Sequence, residues 1–208
     1  MVIAVIGASA GIGAETVKQA LDRGHSVRAL SRNNAALPEH KSLTKINGTA
    51  LSVDDLKKTI AGTDAVLVTI GTKKKKGTTL FSETARALVK ASSDLSYNGR
   101  VIVVTGFGTG ASAEYLSFSL RLIINLFLKD QYHDKTRMEQ ILTFSSMKWE
   151  TVMPGMLTNA PLATGYKVIS ELKKGMKVSK IPRANVAHYL LEEAENPRSL
   201  YKHVVLTK

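Results

Sequence analysis

The sequence predicts an α/β fold: a single domain on a doubly wound, mainly parallel sheet with a small C-terminal flap. Three observations carry that expectation. Short β-rich runs alternate with helical patterns along the whole chain. Several of the runs are almost wholly apolar, as strands are when helices cover both faces of a sheet. A glycine-rich turn separates the first run from the first helical pattern. The 208 residues, 44% hydrophobic and 22% charged, suffice for one sizeable core and fall short of two ordinary domains, so the domain is expected to span 1–208.

Val2–Ile6 is the first expected strand. The first helix, Gly13–Arg23, places Val17, Ala20 and Leu21 on one face and stops at Gly24. Strands follow at Ser26–Leu30 and Leu43–Ile46. Ser52-Val-Asp-Asp55 reads as a capping box opening a helix with Val53, Leu56 and Ile60 turned inward. The strand Ala65–Thr69 precedes a helix over Thr79–Ala91. The strand Arg100–Thr105 precedes helices over Ala113–Lys129 and Asp134–Phe144, and Trp149–Met153 and His203–Leu206 are the last strands, with a helix over Ala184–Glu195 between them. Tyr166–Glu171 and Val178–Ile181 flank a basic bend, Lys173-Lys174-Gly175, and predict an antiparallel hairpin or helical flap within a substrate-side excursion over about 156–183.

Composition narrows the chemistry. With no cysteine there is no disulfide framework, thiolate metal site or cysteine nucleophile, and no metal site is expected. No apolar run approaches the roughly 18 residues of a membrane span, and no basic segment precedes the first strand, so the protein is expected to be soluble and cytoplasmic. Twenty-nine Lys and Arg against 17 Asp and Glu give a net charge of +12, which favours anionic partners. No helix-turn-helix, zinc or aromatic-basic pattern accompanies that charge, so a small anionic or aromatic substrate is expected rather than nucleic acid.

The most informative segment is Gly7-Ala8-Ser9-Ala10-Gly11-Ile12-Gly13, between an apolar strand and an amphipathic helix. A strand turning sharply into a helix presents free N–H groups and a positive dipole end, and glycines let a pyrophosphate approach them. A P-loop is excluded because no Gly-Lys-Ser/Thr follows. In a Rossmann-type sheet the end of the second strand reads the adenosine ribose. An acidic residue there would bind the 2′-hydroxyl, whereas this chain has Ser31-Arg32-Asn33, with Arg32 19 residues beyond Gly13. A guanidinium fork matches a phosphate, which favours NADP(H) over NAD(H), and Ser31 and Asn33 can add neutral hydrogen bonds. Ligands of such sheets lie beyond the carboxyl ends of the strands, which nominates Thr69–Thr72, Thr105–Gly110 and Met153–Thr158 as further walls, with 106–112 as a flexible substrate-side loop.

The turn, Leu30-Ser31-Arg32, Thr63-Asp64-Ala65-Val66-Leu67-Val68, Val152-Met153-Pro154-Gly155 and Ile181-Pro182-Arg183-Ala184-Asn185-Val186-Ala187 together resemble the atypical short-chain dehydrogenase/reductase superfamily. Within it the chain is similar to the small NAD(P)-binding proteins grouped with NmrA-like proteins, biliverdin reductase B and NADH-flavin reductases. The resemblance implies that Lys135 lies beside the nicotinamide ribose. It also places Thr49-Ala50 where the family often has Gly-Asp, and Asn185 where it usually has Asp. The implied cofactor-contacting set is Gly7, Ser9, Ala10, Gly11, Ile12, Gly13, Ser31, Arg32, Asn33, Thr49, Ala50, Thr69, Ile70, Gly71, Thr105, Lys135, Pro154 and Gly155, with Lys135 and Tyr132 as candidate catalytic residues.

The main branch of that superfamily pairs a Tyr with a Lys four residues later. Here Tyr132 precedes Lys135 by three, and Thr105-Gly106 stands where the usual Ser would be. That argues against an ordinary alcohol dehydrogenase. It suits hydride transfer to a flavin, bilin, quinone or similar conjugated acceptor, with flavin as substrate rather than tightly bound cofactor, because the cofactor carries the difficult chemistry. The competing expectation is a non-catalytic NADP(H)-binding redox sensor acting through a protein partner. The apolar segment 113–129 could line the substrate pocket or join two subunits in a homodimer. Lys73–Lys76 and the basic residues Lys167, Lys173, Lys174, Lys177, Lys180 and Arg183 could steer an anion.

Overall fold

The computed structural model describes residues 1–173 and 175–208; Lys174, one of the basic flap residues, lies outside the described residues. The elements, in chain order, are β1 (Val2–Ile6), α1 (Gly11–Asp22), β2 (Ser26–Ser31), β3 (Leu43–Asn47), α2 (Val53–Ile60), β4 (Ala65–Val68), α3 (Leu80–Asp94) and β5 (Arg100–Val104). A 3-10 turn (Gly110–Tyr115) and α4 (Phe118–Phe127), α5 (Lys129–Thr143), β6 (Lys148–Pro154), β7 (Leu157–Thr158), β8 (Lys167–Ile169), β9 (Ile181–Pro182), α6 (Arg183–Glu195) and β10 (His203–Thr207) complete the chain. The sheet order is β3-β2-β1-β4-β5-β6-β10-β8, parallel throughout except for the antiparallel edge strand β8. The fold is therefore α/β and Rossmann-like, as the sequence predicts. All seven expected strands fall within one residue of their observed ends.

Alternation along β1 sorts the core into two layers. Ile3 and Val5 join Val17, Ala20, Val186 and Leu190 under α1 and α6. Ala4 and Ile6 join Leu56, Ile60, Leu88, Met138 and Leu142 under α2, α3 and α5. Each fully buried Leu or Ile contributes about 1.5–3 kcal/mol, and with both faces covered the sheet cannot slip register without exposing one set. The chain builds β1, β2 and β3 in one direction and then returns to place β4 on the other side of β1. A crevice opens where that order reverses, at the carboxyl ends of β1 and β4.

Four expectations need correction. The segment 113–129 is not one helix: Ser117 adopts extended backbone and its side chain accepts the Leu120 N–H at 3.3 Å, so a cap interrupts the helix where periodicity alone continues it. The next helix starts at Lys129 rather than Asp134, because Leu128 serves both as the end of α4 and as the start of α5. The segments around 166–171 and 178–181 do not pair with each other. Val168 pairs with Leu206 on the open edge of β10, while Ile181 and Pro182 pair in parallel with Leu157 and Thr158. An exposed edge already lined with backbone donors and acceptors wins over a local hairpin. Finally, the loop 106–112 is tied down: Gly108 N–H donates to Ser112 Oγ at 2.8 Å and Gly110 N–H to Thr136 Oγ1 at 3.0 Å.

Candidate active site

The turn after β1 shows what each glycine does. Gly7 has φ +86°, and a Cβ there would stand 2.9 Å from the Ile70 backbone. At Gly13 a Cβ would come within 2.1 Å of the Gly7 carbonyl oxygen and 2.6 Å of Thr69 Oγ1, so these two glycines let the turn close against β4. Thr69 fastens that closure by donating to the Ile6 oxygen at 3.1 Å. Gly11 differs: its φ is +57° and it is exposed beside Ala10 at the mouth of the crevice. The α1 N-terminus has no side-chain cap at Ala10 and no acidic residue in its first turn. First-turn N–H groups have no intrahelical acceptor, so an anion fits there without displacing a protein group.

At the end of β2 the side chains divide their work. Ser31 Oγ donates into its own loop, toward Asn34 Oδ1 and the Asn33 backbone oxygen, and Asn33 Oδ1 accepts the Ala35 N–H at 2.9 Å. Arg32 is exposed, and among the described residues its guanidinium has no hydrogen bond or ion pair. Thr49 and Ala50 lie beyond the end of β3. Thr49 N–H donates to Asp55 Oδ2 at 3.0 Å, so the second partner of the expected capping box is Thr49 rather than Ser52. Ser52 Oγ accepts from Asp55 N–H at 3.2 Å as expected.

On the other side of the crevice, Lys135 and Tyr132 project from one turn of α5 toward the end of β5. Lys135 Nζ donates to the Thr105 carbonyl oxygen at 2.8 Å and lies 5.0 Å from the centre of the Phe81 ring and 5.8 Å from that of Tyr132. A Cβ on Gly106 would lie 3.6 Å from the Tyr132 hydroxyl and 3.8 Å from Lys135 Nζ, so both polar ends converge on that glycine. Desolvation brings the Lys135 ammonium down to about 8, against the opposing pull of the Glu139 carboxylate. Burial pushes the Tyr132 phenol up, so it remains a hydroxyl donor at neutral pH. Among the described residues that hydroxyl makes no hydrogen bond.

Two residues missed by sequence reasoning hold this corner. Asp134, 2% exposed, accepts the Phe81 and Ser82 N–H groups at 2.8 and 3.3 Å and so caps α3 from a neighbouring helix. Its place on the stripe Asp134–Met138–Leu142 was a legible signal: an acid at a core position requires a partner. Glu139, one turn after Lys135, is buried beneath the 106–112 loop, where it accepts from Thr109 Oγ1. Burial raises its carboxyl, and the Thr109 hydroxyl opposes that shift. Pro154 and Gly155 line the next strand end, with the Pro154 oxygen accepting the Phe107 N–H at 3.1 Å. The nominated residues thus form an arc along the carboxyl ends of β3, β2, β1, β4, β5 and β6. His133 is exposed, and Lys73–Lys76 form an exposed loop held by Gln131, whose side-chain amide donates to the Lys74 oxygen at 2.9 Å.

Fold and turn together define a nicotinamide-dinucleotide-binding domain of Rossmann type. A family model described as NAD(P)H-binding matches residues 7–197, and the chain belongs to that family. Among solved structures it is similar to ChuY of Escherichia coli O157:H7, described as an anaerobillin reductase, with a TM-score of 0.82 and 21% identity over 100% of this chain and 97% of that one. It is similar also to a short-chain dehydrogenase/reductase of Veillonella parvula in complex with NADP, with a TM-score of 0.83 and 16% identity over 100% and 94%. A candidate NADH-flavin reductase of Streptococcus pneumoniae gives a TM-score of 0.79 and 22% identity over 100% and 99%. At such identities these likenesses establish the fold. A curated 3-beta-hydroxysteroid dehydrogenase of Mycolicibacterium neoaurum is 36% identical over 67 residues, which span 32% of this chain and 18% of that protein. Among the described residues no helix is long and apolar enough to cross a membrane.

Proposed function

We propose that this protein is an NADP(H)-dependent oxidoreductase that passes hydride to a flavin, bilin, quinone or similar conjugated acceptor. The observation that carries the proposal is the convergence of the Lys135 ammonium and the Tyr132 hydroxyl on Gly106, across the crevice from the uncapped glycine turn. Gly7, Ser9, Ala10, Gly11, Ile12 and Gly13 form the pyrophosphate turn, with Thr69, Ile70 and Gly71 as its far wall. Arg32, without a protein partner, pairs with the 2′-phosphate, and the backbone around Ser31, Asn33, Thr49 and Ala50 borders the adenosine. When bound, the dihydronicotinamide supplies the hydride.

Lys135 spends one of its three N–H donors on the Thr105 oxygen and keeps two for the ribose hydroxyls. Tyr132, held protonated by burial, donates a hydrogen bond or proton to an acceptor resting against Thr105, Gly106, Pro154 and Gly155; solvent can supply that proton as well. Conjugated acceptors need little more than orientation, which fits a site without a Tyr-x-x-x-Lys pair. The bilin and flavin reductase descriptions of two similar structures support the same class of acceptor.

The test is calorimetric titration with NADPH and NADH, followed by addition of FMN to the NADPH-loaded protein while the nicotinamide absorbance band is followed. NADPH-selective binding with FMN-dependent oxidation is the expected result, and absence of saturable NADPH binding sinks the proposal. A second reading, a redox sensor acting through a partner, is favoured by one observation: α4 exposes Phe118, Leu122, Leu126 and Phe127, with Phe118 84% exposed. Binding without turnover toward any flavin, quinone or bilin would select it.

A further inference from the structure

The two ends of the excursion after β6 meet in a small parallel pair that brings one side chain to the glycine turn. Strands β7 and β9 pair Leu157 with Ile181 and Thr158 with Pro182, so that Asn159 and Arg183, the next residues on each strand, emerge side by side. Two features bring them close to the main sheet. Ile181 N–H donates to the Met156 oxygen at 2.8 Å, and a Cβ on Gly155 would overlap the Ser179 carbonyl oxygen at 2.0 Å, so only glycine admits the returning strand. Arg183 then opens α6 and reaches across to α1. A Cβ built on Gly11 would meet two atoms, both of Arg183: Nε at 3.6 Å and Cδ at 3.7 Å.

The guanidinium has one hydrogen-bond partner among the described residues. Its Nη1 donates to Asn159 Oδ1 at 2.7 Å. The Nε–Nη2 edge has no acceptor among the described residues, and it is Nε that lies against Gly11. That edge carries two parallel N–H groups, the arrangement that matches two oxygens of one phosphate. The glycine turn itself offers N–H groups and a dipole end equivalent to roughly half a charge, against the two negative charges of a pyrophosphate.

We infer that Arg183 is a pyrophosphate clamp, delivered over the turn by the β7–β9 pair and oriented by Asn159, an assignment that rests on the dinucleotide reading proposed above. Its role is separate from that of Arg32. Arg32 stands at the end of β2 and discriminates between NADP(H) and NAD(H). Arg183 stands on the α6 side of the turn and contributes equally to both, because both contain the same pyrophosphate. The clamp gives the β7–β9 pair a function beside the cofactor phosphates, whereas Ile169, Leu172, Met176 and Val178, in the middle of the excursion, pack with Phe107 of the loop after β5 on the acceptor side.

The test is calorimetric titration of NADPH, NADH and adenosine 2′-monophosphate, which has a 2′-phosphate and no pyrophosphate. The proteins compared are wild type, Arg183→Gln and Arg183→Lys, each with its unliganded melting temperature. Arg183→Gln is expected to weaken NADPH and NADH by a common factor of about tenfold to a hundredfold and to leave adenosine 2′-monophosphate unchanged. Unchanged dinucleotide affinity, a loss confined to NADPH, or an equal loss for adenosine 2′-monophosphate would overturn the clamp. Should Arg183→Gln melt early, Arg183→Lys carries the test, since it keeps the charge and loses the fork. A several-fold loss for both dinucleotides then supports the clamp, and wild-type affinity overturns it. A wild-type protein that binds neither dinucleotide removes the dinucleotide reading itself, an outcome distinct from failure of the clamp alone.

Discussion

Asp134 Oδ2 accepts the Phe81 backbone N–H at 2.8 Å, and the Phe81 ring in turn lies 5.0 Å from the ammonium of Lys135, the next residue along α5 from Asp134. One carboxylate therefore joins α3 to α5 and places the aromatic face beneath the cation. Asp134→Ala removes a buried charged acceptor from two N–H groups and is expected to lower stability by about 2 kcal/mol. Asp134→Asn keeps one acceptor and should lose less. Chemical denaturation of both variants measures the difference, and equal stabilities would remove the cap from the account.

Lys135 carries a pH dependence of known sign. Desolvation lowers its ammonium to about 8, so the charged form prevails at pH 7 and is lost as pH rises through that value. NADPH affinity is expected to fall between pH 7 and pH 9.5 with an apparent midpoint near 8. In Lys135→Met, affinity should be about tenfold weaker at pH 7, and the decline should disappear. Calorimetry across that range checks both statements, and a wild-type profile matching that of Lys135→Met would release Lys135 from the ribose.

Arg32→Glu replaces an unpartnered cation at the end of β2 with an anion. NADPH should weaken at least about tenfold more than NADH, because a carboxylate repels the 2′-phosphate and accepts from a 2′-hydroxyl. Equal weakening of both would move the 2′-phosphate elsewhere.

Far from the crevice, Glu150 is 1% exposed and accepts the Tyr189 hydroxyl hydrogen bond at 2.8 Å. Burial pushes its carboxyl up from 4.5 to about 8. The folded protein thus holds a proton that the unfolded chain releases above pH 4.5, and the resulting loss of stability grows from there until it levels off above pH 8. Glu150→Gln, which cannot ionise, should gain on wild type across that window, by an amount on the order of 2 kcal/mol at its top, or roughly 4–8 °C in Tm. Thermal melts at pH 5 and pH 9 provide the comparison, and a constant gap between the two proteins would contradict it.

Legibility of the site followed the range of the interactions behind it. The turn from Gly7 to Gly13 was readable because β1, the turn and α1 are consecutive, so a local pattern specifies its geometry. The break at Ser117 and the pairing of β8 with β10 were not. The first depends on a capping contact that competes with helix periodicity, and the second on an edge created by a strand that comes later in the chain. Lys135 was named from family resemblance, but its surroundings were hidden: Phe81, Thr105 and Glu139 reach it from two other parts of the chain and from one turn further along its own helix.

By itself, the sequence determined the layered α/β class, the order of the seven parallel strands along the chain and the location of the glycine turn between β1 and α1. Hydrophobic period and glycine spacing are properties of contiguous residues. Only the tertiary structure decided that Asp134 caps a helix 52 residues upstream of it, that Tyr132 and Lys135 converge on Gly106, and that Arg183 reaches Gly11 from the far end of the chain. Those relationships depend on which elements the two core layers press together, and no local pattern records the partner that a side chain meets across such an interface.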